Sequence, residues 1–158
     1  MAEQQEFVRS LEQASYEMIK EATKNMEKVC LAVERDAKKN VPVDNGTLRA
    51  SISHDTQVTS EMIIGKVFSN LDYAPYIEKG TGIYAEEGNG RMTPWYVPEE
   101  VLQGGHKLPT FQGNVTPVYG KSGKKYYKTD GMKPQPFLEP ARDENKKRIT
   151  RILAGKSK

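Results

Sequence analysis

The first 39 residues carry the clearest pattern of hydrophobic and polar positions. Residues 3 to about 39 contain no glycine and no proline. Their apolar residues recur every three or four positions, which predicts one long amphipathic helix. The stripe consists of Phe7, Leu11, Ala14, Met18, Ala22, Met26, Val29, Val33 and Ala37.

That helix is too long to be covered by its own chain. At about 1.5 Å per residue it would measure about 55 Å, whereas a domain of this size is about 30 Å across. One interpretation is a bent helix that serves the core alone. The other is a straight helix that belongs partly to the core, with the rest of its stripe covered by a neighbouring subunit.

The next segments predict a β-hairpin laid on the helix. Pro42 ends the helix, and Asp44-Asn45-Gly46 is a turn sequence. A first strand is predicted within Leu48 to Thr59, and Met62 to Phe68 is a stronger one because it is rich in β-branched residues. Tyr76 to Glu78 predicts a short helical turn that stops at Gly80 and Gly82.

The second half of the chain predicts a long excursion followed by a last helix. Residues 80 to 136 hold most of the glycine and proline, and residues 84–128 read as an extended loop or hairpin insertion. Within it, Val115–Tyr119 and Lys125–Thr129 flank a plausible hairpin tip. Phe137 to Ala154 predicts the last helix, with Pro140 in its first turn. The whole chain, residues 1–158, is thus expected to be one α+β domain with a small antiparallel sheet.

Charge changes the picture only at the C-terminal end. The net charge is +3, too small to indicate a nucleic-acid-binding protein. Residues 133–158 nevertheless carry a balance of +5. A solvated helix face explains this, and a surface facing DNA or a protein partner is the alternative. The residues concerned are Lys146, Lys147, Arg148 and Arg151.

Cysteine content and hydropathy bear on the cellular compartment. Cys30 is the only cysteine, so no disulfide can form within the chain. The N-terminus lacks the apolar stretch of a signal peptide, and no apolar run approaches the ~20 residues of a membrane span. We expect a soluble protein made in a reducing cytoplasm, with no membrane partner.

Candidate catalytic and binding motifs are weak. Gly120-Lys121-Ser122 lacks the glycine that a phosphate-binding loop needs at position 115. The Gly80–Ala85 segment matches a dinucleotide fingerprint by letter but follows no βαβ strand. His54 and His106 lack a metal-ligand spacing and are expected at the surface. We therefore predict no catalytic residue, no cofactor and no metal, with a hydrolase of unrecognised site as the alternative to exclude.

Three segments carry a family resemblance. The first is Pro42-Val43-Asp44-x-Gly46-x-Leu48-x-x-Ser51-Ile52, the second Tyr73-Ala74-x-Tyr76-x-Glu78-x-Gly80-Thr81. The third is Gly131-x-x-Pro134-x-Pro136-Phe137-Leu138-x-Pro140-Ala141. In this order and spacing they resemble the head–tail joining, or tail-completion, proteins of long-tailed bacteriophages.

The resemblance implies a structural virion protein of the neck or upper tail. Such a subunit would complete the tail and join it to the head as part of a ring, with six copies as the best guess, and it could be monomeric alone. Its partners would be head-closure, tail-terminator or tail-tube proteins, with non-specific contact to packaged DNA. The alternative is a basic nucleic-acid-binding accessory protein of a phage or prophage.

The motif positions also have expected structural roles. Gly46 and Gly80 should permit tight turns. Apolar anchors should fix those turns to the core, namely Leu48, Ile52, Tyr73, Tyr76 and Phe137. Glu78 is expected either as an exposed side chain or in an ion pair with Arg49 or a neighbouring subunit. Pro134 and Pro136 should hold an extended entry to the last helix.

Overall fold

The computed structural model describes residues 2–42, 46–100 and 115–156. Its architecture is α+β, as the sequence predicts. Helix α1 spans Ala2–Asn40, and a second, short helix, α2, spans Thr47–Ser51. Strands β1 (Ile52–Val58) and β2 (Ile63–Ser69) follow, then helix α3 (Ala74–Lys79) and a 3₁₀ turn at Gly82–Tyr84.

The second half contains three strands and two helices. Strand β3 spans Trp95–Pro98, β4 spans Thr116–Tyr119 and β5 spans Lys125–Thr129. Helix α4 spans Leu138–Glu144, and helix α5 spans Lys146–Leu153. Asp44 and His106, two residues singled out in the sequence, lie outside the described residues.

The strands form two separate antiparallel sheets. β1 and β2 make a hairpin in which Ile52 pairs with Ser69 and Val58 with Ile63. The other sheet has the order β3-β5-β4. Its β4–β5 hairpin confirms the one predicted around Gly120 to Lys124, whereas β3 falls in a stretch that was predicted to be loop.

The core forms around the C-terminal half of α1. This half contacts both strands of the β1–β2 hairpin and both C-terminal helices. The buried cluster consists of Val33, Ala37, Val41, Leu48, Ile52, Ala74, Phe137 and Ala141. Cys30 is also buried, as expected of a small core residue, and burial raises the pKa of its thiol.

Gly65 lets strand β2 approach α1 closely. A β-carbon at this position would lie 2.4 Å from the Cys30 sulfur and 2.7 Å from the Met26 sulfur. Such distances are far inside van der Waals contact. The hairpin can therefore lie flat on the helix only because position 65 has no side chain.

Two sequence predictions of secondary structure were wrong in detail. Residues 47–51 form helix α2, so the first strand begins at Ile52 rather than near Leu48. The last helix is two helices that meet at Asn145. The Asn145 side chain is buried and donates hydrogen bonds to Ala141 O and to Asp36 Oδ2 on α1, both at 2.9 Å. These bonds hold the junction against α1.

The N-terminal half of α1 lies outside the core. Every residue from 3 to 22 is exposed, and burial begins at Asn25. We call residues 2–22 the arm. The helix is one continuous element, so the expectation that part of its stripe lacks cover from the chain is confirmed. Among the described helices, none is long and apolar enough to cross a membrane.

Candidate functional site

The three motif segments meet in the core although they are far apart in sequence. Leu48 and Ile52 come from the first segment and Ala74 from the second. Phe137 and Ala141 come from the third, and neither is accessible to solvent. These five motif positions therefore build one packed junction on α1.

Hydrogen bonds join the second and third segments along their length. Thr81 N donates to Met132 O at 2.8 Å, and Met132 N donates back to Thr81 Oγ1 at 2.9 Å. Gln135 N donates to Ile77 O at 2.8 Å. The segments before and after the three-stranded sheet are thus bound to each other, which closes the base of that excursion.

Glycines allow the two segments to touch. Gly80 and Gly82 have φ of +76° and +63°, in the left-handed region that favours glycine. A β-carbon on Gly82 would lie 2.0 Å from Asp130 O, and one on Gly80 would lie 2.8 Å from Met132 O. The backbone approach explains Gly80 more fully than the simple turn predicted from the sequence.

Glu78 forms the cap of helix α4. Its Oε2 accepts hydrogen bonds from Phe137 N at 2.8 Å and Leu138 N at 3.0 Å, while Oε1 accepts one from Glu139 N at 2.9 Å. The expected ion pair with Arg49 is not what this carboxylate does, because both oxygens serve backbone donors. The first N–H groups of a helix have no partner within the helix, and a carboxylate there also suits its dipole.

The remaining motif residues divide into structural and exposed positions. Gly46 has φ of +81° and precedes α2 directly. Ser51 Oγ lies 2.7 Å from Ser69 Oγ, which ties the two ends of the hairpin together. Pro140 lies in the first turn of α4, as predicted.

The prediction that two tyrosines anchor the core was wrong. Tyr73 is 43% exposed and Tyr76 is 60% exposed. Helix α3 instead buries Ala74 and half-buries Ile77, so its inward face carries small and aliphatic side chains. The tyrosines are therefore available to contact another molecule.

Charged side chains in the C-terminal half of α1 contact both the β1–β2 hairpin and the α4–α5 junction. Burial raises the pKa of Glu34, but hydrogen bonds from Lys38 and His54 outweigh this and leave the pKa lowered. His54 is half-buried in this contact with Glu34 rather than free at the surface as predicted. On the other side, the Asn145 amide and the Arg35 guanidinium hold the pKa of Asp36 far below its usual range.

The four basic residues proposed from sequence all lie exposed on α5. Lys146 pairs with Asp143 at 3.1 Å. The buried side of α5 carries Ile152, with Ile149 half-buried. Lys147, Arg148 and Arg151 are exposed, and Arg151 follows the other two by four and three positions, so the helix brings them together as an outward basic surface.

The described residues contain no group of three or more His, Cys, Asp or Glu side chains arranged to hold a metal ion.

A known family model matches the part of the chain that contains α1 and the β1–β2 hairpin. Residues 5–80 match the family model described as "Bacteriophage HK97-gp10, putative tail-component". This part of the chain is therefore similar to a phage tail component. The match covers α1 from residue 5, the β1–β2 hairpin and α3. It includes the first motif segment and all but the last residue, Thr81, of the second. No curated protein and no solved structure gave a significant match to the chain.

The tail-component match suggests why the apolar residues of the arm are exposed. All but the first three residues of the arm lie within the matched residues, and a tail component works in contact with other virion proteins. The third motif segment and the three-stranded sheet lie outside the match. The signal that sequence reasoning missed there is the Glu78 cap, whose backbone partners lie some sixty positions further along the chain.

Proposed function

We propose that this protein is a structural subunit of the phage neck or upper tail that completes the tail and joins it to the head. The single observation that carries the proposal is the arm: residues 3–22 project an apolar stripe that the chain's own core does not cover. The family match gives that observation its setting, since a virion subunit is covered by its neighbours.

The proposed assembly is a ring, with six copies to match the symmetry of the tail. In a closed ring each subunit presents one patch to a different patch on the next. The neighbours above and below would be head-closure, tail-terminator or tail-tube proteins. A structural tail component also suggests a protein without enzymatic activity.

Particle assembly without the protein tests this function. An amber mutation early in the coding sequence should give DNA-filled heads and separate tails that fail to join. Gold labelling of a tagged, complementing copy should mark the head-proximal end of the tail. Normal infectious particles in the absence of the protein would contradict the proposal.

A second candidate function rests on the outward basic surface of α5. Lys147, Arg148 and Arg151 lie exposed together there, so this surface could face packaged DNA in the channel of the ring or bind nucleic acid independently. Replacing Lys146, Lys147, Arg148 and Arg151 by glutamine separates these readings. Loss of infectious particles is expected for a DNA-facing role, and particles that form normally would exclude it. Salt-sensitive binding to DNA by the purified protein, with no virion partner, would favour the accessory nucleic-acid-binding protein.

A further inference from the structure

We propose that the arm of one copy docks on the three-stranded sheet of a second copy, on the face that carries Tyr96, Val118, Tyr126 and Lys128. We call this the tyrosine face. The inference rests on the proposed function, because it supplies the subunit contact of the ring.

The arm continues the stripe that forms the core. Phe7 and Leu11 are 63% and 52% exposed, and Met18 is 72% exposed. With about 100° of rotation per residue, these residues lie on the same side of α1 as the buried Val29 and Val33. A helix side that is packed in its second half therefore needs an apolar cover in its first half as well.

Acidic residues flank this stripe. Residues 2–22 carry a net charge of −3. On the helical wheel, Glu3 and Glu21 border the stripe on one side and Glu12 borders it on the other, whereas Arg9 and Lys20 lie at the back. The partner surface should consequently be apolar in its centre and basic around it. Two arms packed on each other would instead bring like charges together.

The three-stranded sheet offers that chemistry. In its register Tyr96 pairs with Lys128, and Val118 pairs with Tyr126, so these four side chains share one face. Tyr96 is 57% exposed. Residues 115–129 contain four lysines and no acidic residue, which gives this hairpin a charge of +4.

The opposite face of the sheet is already engaged. Lys125 Nζ and Tyr127 Oη donate hydrogen bonds to Glu99 Oε1 at 2.7 and 3.2 Å. The Arg91 guanidinium lies 5.6 Å from the centre of the Trp95 ring. By contrast, among the described residues Lys128 forms no ion pair. Tyr119 on the opposite face is also 69% exposed, but only the tyrosine face combines an exposed aromatic side chain, Tyr96, with a lysine that forms no ion pair within the described residues.

The outward surface of α5 is a poorer match for the arm. It is basic, but its exposed positions 147, 148 and 151 are all Lys or Arg. It could neutralise the flanking glutamates but would leave Phe7, Leu11 and Met18 without an apolar cover. The tyrosine face satisfies both requirements, and because it differs from the arm, the contact is of the head-to-tail kind that builds a ring.

Cysteine cross-linking tests the docking. In the full chain, Leu11→Cys is combined with Tyr96→Cys, and particles or concentrated protein are oxidised and run on a non-reducing gel. A ladder of trimers and larger species is expected, since each copy would link to two neighbours. The matched control combines Leu11→Cys with Arg148→Cys on α5 and should give no ladder.

Each alternative occupant of the arm has its own outcome. Dimers from Leu11→Cys alone would show arm–arm pairing, and a ladder from the Arg148→Cys control would show docking on α5. Particles that contain the variant without any ladder would show that another virion protein covers the arm. Any of the three overturns the docking while leaving the tail function intact, whereas absence of the protein from particles defeats the tail function itself.

Charge reversal provides a second measurement. Glu12, Glu17 and Glu21 are changed to Lys in one variant, and Lys121, Lys124 and Lys128 to Glu in another. Added to the cysteine pair, each reversal alone should lower the cross-linked fraction at least tenfold, and mixing the two should restore it in strictly alternating copies. A hairpin reversal that abolishes retention on duplex DNA but leaves the ladder unchanged would assign the lysines to DNA and overturn the docking.

Discussion

Glu78 and Phe137 are joined by a hydrogen bond of 2.8 Å from the backbone N–H of Phe137 to the carboxylate of Glu78. The same carboxylate accepts the N–H groups of Leu138 and Glu139. Phe137 is completely buried, so this bond fixes the end of α3 to the residue that fills the core. One side chain therefore connects the second and third motif segments.

Replacing Glu78 by alanine should lower the free energy of unfolding by about 1–3 kcal/mol, because three backbone donors at the start of α4 lose their acceptor. Glu78→Gln keeps one acceptor oxygen and should cost less. Urea unfolding followed by circular dichroism measures both variants. Glu61→Ala, at an exposed turn, is the control and should change little. Equal stability of Glu78→Ala and the control would refute the capping role.

The crossing of the two segments at Gly82 can be tested against a glycine in a similar conformation. Gly82 and Gly123 have φ of +63° and +74°, but a β-carbon would meet Asp130 O at 2.0 Å only in the first case and nothing within 4 Å in the second. Gly123→Ala should cost about 1 kcal/mol for the left-handed backbone alone. Gly82→Ala should cost a further ~1–3 kcal/mol for overpacking. Thermal denaturation of the pair checks this, and a similar loss in both would mean that the segments do not press together.

The sequence predicts the elements whose pattern is local, and this explains what was right and what was not. Helix α1 and strand β2 follow from periodicity and β-branched residues. Helix α2 is only five residues long, which is too short for its periodicity to be recognised even though Leu48, Arg49 and Ala50 favour a helix. The break at Asn145 depends on Asp36, and the Glu78 cap depends on Phe137, so each needs a partner far along the chain.

The exposed tyrosines are a second case in which local sequence did not predict burial correctly. Tyr73 and Tyr76 were predicted to be anchors because aromatic residues usually bury large surfaces. In the structure Ala74 and Ile77 occupy the inward side of α3 instead. A six-residue helix has too few positions for its periodicity to show which side faces inward.

Acid should destabilise the protein partly through Asp36. Its pKa is lowered in the folded state by Asn145 and Arg35, so the unfolded chain binds the proton more readily. The stabilisation is present at neutral pH and is lost progressively below about pH 5. Asp36→Asn and Asn145→Ala should each be less stable at pH 7 and show a weaker loss between pH 6 and pH 3. Urea titrations across this range measure the slopes, and a slope as steep as in the unmodified chain would refute the assignment.

One buried and one exposed phenylalanine separate folding from assembly. Phe137 is completely buried and Phe7 is 63% exposed. Phe137→Ala should cost about 3–5 kcal/mol of stability because it empties the centre of the core. Phe7→Ala should change stability by no more than ~0.5 kcal/mol, as expected of a surface position, yet it should reduce self-association in sedimentation velocity or incorporation into particles. If Phe7→Ala proved as destabilising as a core truncation, the arm would be packed within its own chain. If it left assembly untouched, the stripe would not be an interface.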